Sequence, residues 1–490
     1  MVIENRPPVT KLTIPCGVTK GPSRVTLVLH NLRKELMIYM KQLTLLSPTA
    51  ILGYGFPDSS FERGLSFGPD VIAVDAGSTD PGPYYLGAGK PFVAQGAVKR
   101  DLTYLLRAAR TMRIPLVIGS AGGSGARPHL EWCRDIIIEV AKEEGISFRM
   151  AVIPADVPQP YLREALWDER IKPLGPVTEL TEADISDSTY LVAQMGIEPF
   201  IKALDGGADV ILAGRSYDPA VFAAFPVWKG FKEGLALHLG KILECAAIAA
   251  LPGSGSDCMV GFLEEDRFMV EPANRERRAT VASVAAHTLY EKSNPYLLPG
   301  PGGDLDLYQT EFTQVAEHRV AVKGSSFRPK PYTVKVEGAK KVGYRVITIA
   351  GARDPRFIEH LDEIIAGVEE RTVGNFQWEK GKYKLMFHIY GRNGVMGDQE
   401  PHPSMGNEVG IVIEALAETE ELAEAVLGFA RSTMLHFGFP GRLATAGNLA
   451  FPYSPSDFKV GEAYIFSIHH LLSLERPDEI FPVTFEEVRS

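Results

Sequence analysis

Short aliphatic runs, each closed by a polar or glycine-bearing turn, recur through the first half of the chain. Residues 50–55 read as a strand, residues 59–65 allow a short helix, and Asp70-Val71-Ile72-Ala73-Val74-Asp75 has the pattern of a strand buried on both faces. A helix over 101–111 leads to a strand at 114–118, the loop 119–125 and an amphipathic helix over 129–144. Further strands are predicted at 148–154 and 208–213, with a helix near 190–204 between them. This alternation predicts an α/β fold: a doubly wound, mostly parallel sheet covered by helices on both faces. The apolar stretch 25–46 has no decisive period.

The pattern changes past residue 252. A mostly apolar helix from 231 to 251 stops at Pro252-Gly253, residues 259–270 alternate like a hairpin, and a helix over 282–291 breaks at Asn294-Pro295. From about residue 330 the reading is strands at 332–336 and 344–349, a helix at 355–371, strands at 383–390 and 408–415, a helix at 419–437 and a strand at 463–468. Leaving out the first strand, the order is βαββαβ, which predicts an α+β ferredoxin-like C-terminal domain. The expected organisation is an N-terminal extension over 1–48, an α/β ligand-binding domain over 49–328 with an insertion at about 252–328, and the ferredoxin-like domain over 329–490.

Composition narrows the functional classes. The 490 residues carry a net charge of −10, with no stripe of Lys and Arg suited to a phosphate backbone, so nucleic acid is not an expected partner. Cys16, Cys133, Cys245 and Cys258 are far apart and form no Cys-x-x-Cys pair, which fits a reducing compartment. The N-terminus lacks a charged start followed by an apolar run, and no apolar run is long enough to span a bilayer. A cytoplasmic protein without membrane contact is expected.

In an open parallel sheet, ligands bind beyond the carboxyl ends of the strands. Three loops there carry candidate chemistry. In Asp75-Ala76-Gly77-Ser78-Thr79-Asp80, the residues Asp75, Asp80 and Ser78 are candidate catalytic groups, although an ordinary Asp-rich turn would look the same. In the loop 119–125, Ser120, Gly122, Gly123 and Ser124 could bring amide and hydroxyl donors to a carboxylate or phosphate. Its glycine spacing is not the dinucleotide fingerprint, and Gly87-Ala88-Gly89-Lys90 departs from a P-loop, having Tyr84 at the first glycine and Pro91 at the Ser/Thr position. In the third loop Arg215 is a fork donor for a carboxylate, or an internal partner of Asp218. A divalent metal ion is a weaker option, with His287, Glu291 and Asp304 as oxygen and nitrogen donors but no recognised metal motif among them. No cofactor is firmly indicated.

The strings His287-Thr288-Leu289-Tyr290-Glu291, Asn294-Pro295-Tyr296 and Pro301-Gly302-Gly303 resemble the acyclic terpene utilisation (AtuA-like) family. So do Glu337-Gly338, Val342-Gly343-Tyr344-Arg345, Ala350-Gly351-Ala352-Arg353-Asp354-Pro355 and Phe451-Pro452-Tyr453-Ser454-Pro455-Ser456-Asp457. The resemblance implies carboxylic acid catabolism, with branched acids and their CoA thioesters as substrates. It also implies a small accessory protein, because longer relatives carry an extra C-terminal module. The combined expectation is a lyase, of hydratase or dehydratase type, acting on a small hydroxy acid or acyl-CoA, and working as a homo-oligomer. A hydrolase or isomerase of a small carboxylic acid, and a non-catalytic subunit that binds an acyl ligand, are the alternatives.

Overall fold

The central strands form where the sequence offers continuous aliphatic runs. Leu43–Ser47, Val71–Asp75, Leu116–Gly119 and Val210–Ala213 are buried along their whole lengths, and with Phe148–Ile153 they pair in parallel. The computed structural model describes residues 42–490 except 291, 292, 403, 405 and 444. Residues 1–41 of the expected N-terminal extension, and with them most of the stretch 25–46, therefore lie outside the described residues, as does Glu291, while the end of that extension holds the central strand Leu43–Ser47.

Alternate residues of the parallel strands feed two separate cores, because side chains in a strand point to opposite faces. Leu45, Val71, Ala73, Val117 and Ile211 join one core, which packs under the helices Asp218–Trp228 and Glu233–Leu243. Leu46, Ile72, Val74, Ile118 and Leu212 join the other, beneath the helices Gln95–Met112 and Arg127–Glu144. Antiparallel strands extend both edges into a ten-stranded mixed sheet. Met259–Leu263, Arg267–Pro272, Arg319–Lys323 and Glu311–Ala316 continue from Leu43–Ser47, while Thr484–Val488 pairs with Phe148–Ile153.

Several expectations need correction. Residues 50–55 are a loop, and the first strand among the described residues lies just before them at Leu43–Ser47, where Thr44 and Ser47 break an otherwise aliphatic segment. The region expected as one helix over 190–204 holds the strand Ser188–Ala193 followed by the shorter helix Glu198–Asp205, which begins with Pro199 near its start. The two strands expected at 332–336 and 344–349 are one strand, Thr333–Ala352, whose pairing register shifts at three places along Asp457–Ser473.

The C-terminal part is antiparallel. Thr333–Ala352, the helices Pro355–Glu359 and Leu361–Asn375, the strands Tyr383–Tyr390 and Val409–Ala417, the helix Glu420–Leu435 and the strand Asp457–Ser473 follow in that order. Laterally, Tyr383–Tyr390 pairs with Val409–Ala417, which pairs with Thr333–Ala352, which pairs with Asp457–Ser473. The helices Leu361–Asn375 and Glu420–Leu435 cover one face through an apolar core that includes Ile364, Val368, Ile411, Ile413, Val426 and Leu427. Thr333–Ala352 also pairs with Ser188–Ala193, and Asp457–Ser473 pairs with Ile171–Pro173, so elements from both sides of residue 329 share one sheet. The molecule is thus a mixed α/β protein with a parallel centre and further antiparallel sheets.

Candidate functional site

The strand Val71–Asp75 ends on a carboxylate that the fold leaves almost no room to reach water. Asp75 is 5% exposed, and its Oδ1 has no hydrogen-bond partner. A Cβ at Gly119, at the end of the neighbouring strand, would lie 3.2 Å from that oxygen. Beyond the next strand stands Arg215, buried with its charge. Its Nε donates to Glu337 Oε2 at 2.8 Å, and its Nη1 donates to Asp218 Oδ1 at 3.0 Å, to the Ser216 carbonyl at 3.1 Å and to Ser120 Oγ at 3.3 Å. Glu337 arrives from the long strand Thr333–Ala352. It also accepts from Thr79 Oγ1 at 2.6 Å and pairs with Lys335 Nζ at 2.9 Å.

Two carboxyl groups in this cluster are pushed in opposite directions. Burial drives the Asp75 carboxyl well above its ordinary range, Asp218 and Glu244 add to that, and Arg215 and Ser120 only partly offset it. Burial also acts against ionised Glu337, but Arg215 and Lys335 outweigh it and hold this group at about 2. Arg215 pairs with Asp218 and Glu337, Lys335 with Glu337, and Lys241 with Glu244, whereas the raised Asp75 carboxyl has no ion-pair partner among these residues.

A second group of side chains adjoins the first. At the end of the helix Glu233–Leu243, Lys241 Nζ pairs with Glu244 Oε1 at 2.7 Å and lies 4.5 Å from the centre of the Tyr290 ring. Cys245 Sγ is 3.6 Å from Tyr290 Oη, and the His287 and Tyr290 rings are 4.8 Å apart. Asp218 acts electrostatically on both Lys241 and Cys245, which ties this group to the Arg215 centre. His287 is 7% exposed with its Nε2 unpartnered; burial, reinforced by Lys241, lowers it to about 4, so its ring is neutral.

The expected site residues fall into two sets. Asp75, Ser120, Arg215 and Asp218 come together. Asp80 is exposed, and its amide donates at 3.2 Å to Oγ of Ser78, which is half-buried and precedes Thr79, the residue that bonds Glu337. The glycine-rich loop 119–125 is buried throughout. The Ser120 and Ala121 amides donate to the carbonyls of Gly214 and Ala213, and those of Gly123 and Gly125 donate to Ser120 and Ala121. Gly125 has φ +67°, and a Cβ there would collide with the Arg215 backbone. The glycines of this loop let two strand ends close on each other. Gly122 packs against His129, and the Ser124 hydroxyl is buried without a partner.

Of the residues weighed as metal donors, Asp304 is buried and paired with Lys330, and His287 faces Tyr290. Among the described residues no group of three or more His, Cys, Asp or Glu side chains is placed to hold a metal ion. Glu337, Lys335, Glu244 and Lys241 are the site residues that sequence reasoning missed. Their one local signal is a charged residue inside an apolar run, as in Val334-Lys335-Val336-Glu337-Gly338-Ala339.

A parallel sheet with helices on both faces and a buried acid–base centre at its carboxyl edge defines the general class, a mixed α/β protein. Residues 95–252 and 266–451 match the model of the acyclic terpene utilisation family protein AtuA, and the chain belongs to that family. Membership gives it a catabolic role. Arg215, Glu244, His287 and Glu337 lie within the matched segments, whereas Asp75 precedes them. Comparison with curated proteins and with solved structures gave no match. Among the described residues, no helix is long and apolar enough to cross a membrane.

Proposed function

We propose that the chain is a lyase of the hydratase or dehydratase type, acting on a small hydroxy acid or its CoA thioester. The observation that carries this reading is Asp75: a buried carboxyl, kept protonated, with an oxygen that no protein donor or acceptor satisfies. Such a group is suited to give a proton to a leaving hydroxyl, while Asp218, paired with Arg215, is suited to accept one. In dehydration the substrate's C–O bond breaks as Asp75 protonates the oxygen. The neighbouring C–H bond breaks as Asp218 takes that proton, the C=C bond forms, and water leaves. Transfer of the proton from Asp218 back to Asp75 between turnovers completes the cycle. Because Nε and Nη1 of Arg215 are held internally, its role is to position Asp218 and Glu337 and to keep Glu337 ionised. The Ser124 hydroxyl is the donor offered to the substrate's carboxylate or thioester carbonyl.

The unit from 333 to 473 is read as ferredoxin-like, supported by its βαββαβ order and antiparallel pairing, and it supplies Glu337 and Lys335 to the centre. A homo-oligomer in the cytoplasm, aided by a small accessory protein, completes the proposal.

The test is turnover of 3-hydroxyacyl-CoA and 2-enoyl-CoA thioesters by the purified chain, followed by enoyl absorbance. Asp75→Asn keeps the side-chain volume and removes the acid, so the rate should fall by about 10²–10⁴-fold. Wild-type turnover by this variant would remove Asp75 from the chemistry. Activity that appears only after a second protein is added would favour the subunit reading.

A further inference from the structure

Two buried histidines, His238 on the helix Glu233–Leu243 and His287 on the helix Val281–Leu289, differ in one respect. His238 is satisfied on both ring nitrogens, with Nδ1 2.6 Å from Ser325 Oγ and Nε2 3.0 Å from Thr288 Oγ1. His287 is buried to a similar degree, yet its Nε2 meets no partner. The Lys241 backbone interacts favourably with the ring, and because a carbonyl can only accept, the tautomer this favours leaves the unpartnered Nε2 as the acceptor. The His287 helix, Val281–Leu289, begins with a capping box between Thr280 and Ser283, and the neighbouring Val284 and Thr288 are buried with it. A buried acceptor left without a donor is costly, and native structures retain such groups chiefly where something else supplies the donor.

We infer that His287 Nε2 is a specificity-determining acceptor, which binds a hydroxyl of the ligand at the Tyr290 side of the buried cluster. This rests on the reading of the cluster as a hydroxyacyl site. Lys241, which lies over the neighbouring Tyr290 ring and acts electrostatically on His287, disfavours a cationic donor and leaves a neutral one, of which a hydroxyl is the simplest. Lys241 and Glu244 connect this position to Asp218 and Asp75, so a ligand hydroxyl held by His287 belongs to the molecule on which those groups act.

The probes are 3-hydroxybutyryl-CoA and butyryl-CoA, titrated calorimetrically into the full chain. The wild type should prefer the hydroxylated probe by at least about tenfold, because a site built around a hydroxyl rejects the analogue that lacks it. His287→Leu should erase that preference without changing affinity for butyryl-CoA, and His287→Gln, which retains an acceptor, should restore part of it. Should the leucine variant not fold, the ¹⁵N resonance of the wild-type His287 Nε2 gives the answer, moving upfield on addition of the hydroxylated probe alone. Equal binding of the two probes, a preference that survives in His287→Leu, or an unmoved resonance would overturn the inference. The proposed function would survive these results if Asp75→Asn still abolished turnover. Failure of both probes to bind the wild type would reject the hydroxyacyl ligand itself, and the inference with it.

Discussion

Glu337 and Glu414 are both glutamates on strands of the same antiparallel sheet, and both face cations. Glu337 is 1% exposed between Arg215 and Lys335, in contact with the carboxyl edge of the parallel strands. Glu414 lies on the sheet face opposite the covering helices, where Arg345 Nε donates to it at 2.6 Å and His388 stands 3.2 Å away, both of them open to water. The first arrangement takes several charges out of water and needs every partner present; the second is screened and dispensable. Charge is therefore concentrated where the C-terminal unit meets the parallel sheet, while that unit's own interior is apolar.

The largest effect that would sharpen this contrast is removal of the buried anion. Glu337→Ala leaves Arg215 and Lys335 facing each other without their shared partner and should cost about 3–5 kcal/mol in urea unfolding. A loss below about 1 kcal/mol would place Glu337 in the same energetic class as an exposed pair and break the comparison. Next comes the apolar core of the C-terminal unit. Leu427→Ala should cost about 2–5 kcal/mol through lost burial and a residual cavity, while activity per folded molecule stays within about twofold of wild type. A collapse of activity with stability intact would show that the unit contributes more than the strand bearing Glu337.

A smaller and directional effect comes from Asp75. Its carboxyl is raised in the folded chain above the ordinary value of 3.8, so the folded state holds the proton more tightly than the unfolded state. Its contribution is fully present below 3.8 and is lost as the pH rises through the folded value. Asp75→Asn removes this dependence, so the variant should gain on the wild type with rising pH, by at most about 1.4 kcal/mol per pH unit. Unfolding midpoints for the two chains from pH 4 upward measure it, and a constant difference would mean that Asp75 is not protonated in the fold. The smallest effect is expected at Glu414→Gln, at most about 1 kcal/mol and reduced further by salt.

Much of this architecture is written locally. The runs Val71-Ile72-Ala73-Val74 and Val210-Ile211-Leu212-Ala213 have few alternatives to strands buried on both faces, and the polar residues that end them mark the carboxyl edge. The helices Arg127–Glu144 and Glu420–Leu435 show their buried faces in the spacing of their apolar residues. The reading failed where local pattern was ambiguous. Ser188–Ala193 is a short strand next to a helix, and its apolar residues fit either period. The single strand Thr333–Ala352 contains Gly338 and Gly343, which in a sequence look like a break and in the sheet accompany register shifts.

The chemistry divides along the same line. Asp75 and Asp80 are equivalent in sequence, two acids in one polar turn. Tertiary packing buries the first against the end of the next parallel strand and leaves the second in water. The loop 119–125 looked like an open cradle because glycine permits close approach, but what approaches is the protein's own backbone at Arg215. By itself the sequence determined the family, the run of strands and helices and the edge on which polar loops gather. Only the tertiary structure decided which carboxyl is neutral, which imidazole nitrogen is bare and which glutamate completes Arg215, a residue 122 positions away along the chain. Protonation and pairing depend on desolvation and on the field of distant charges, and neither exists until the chain has folded.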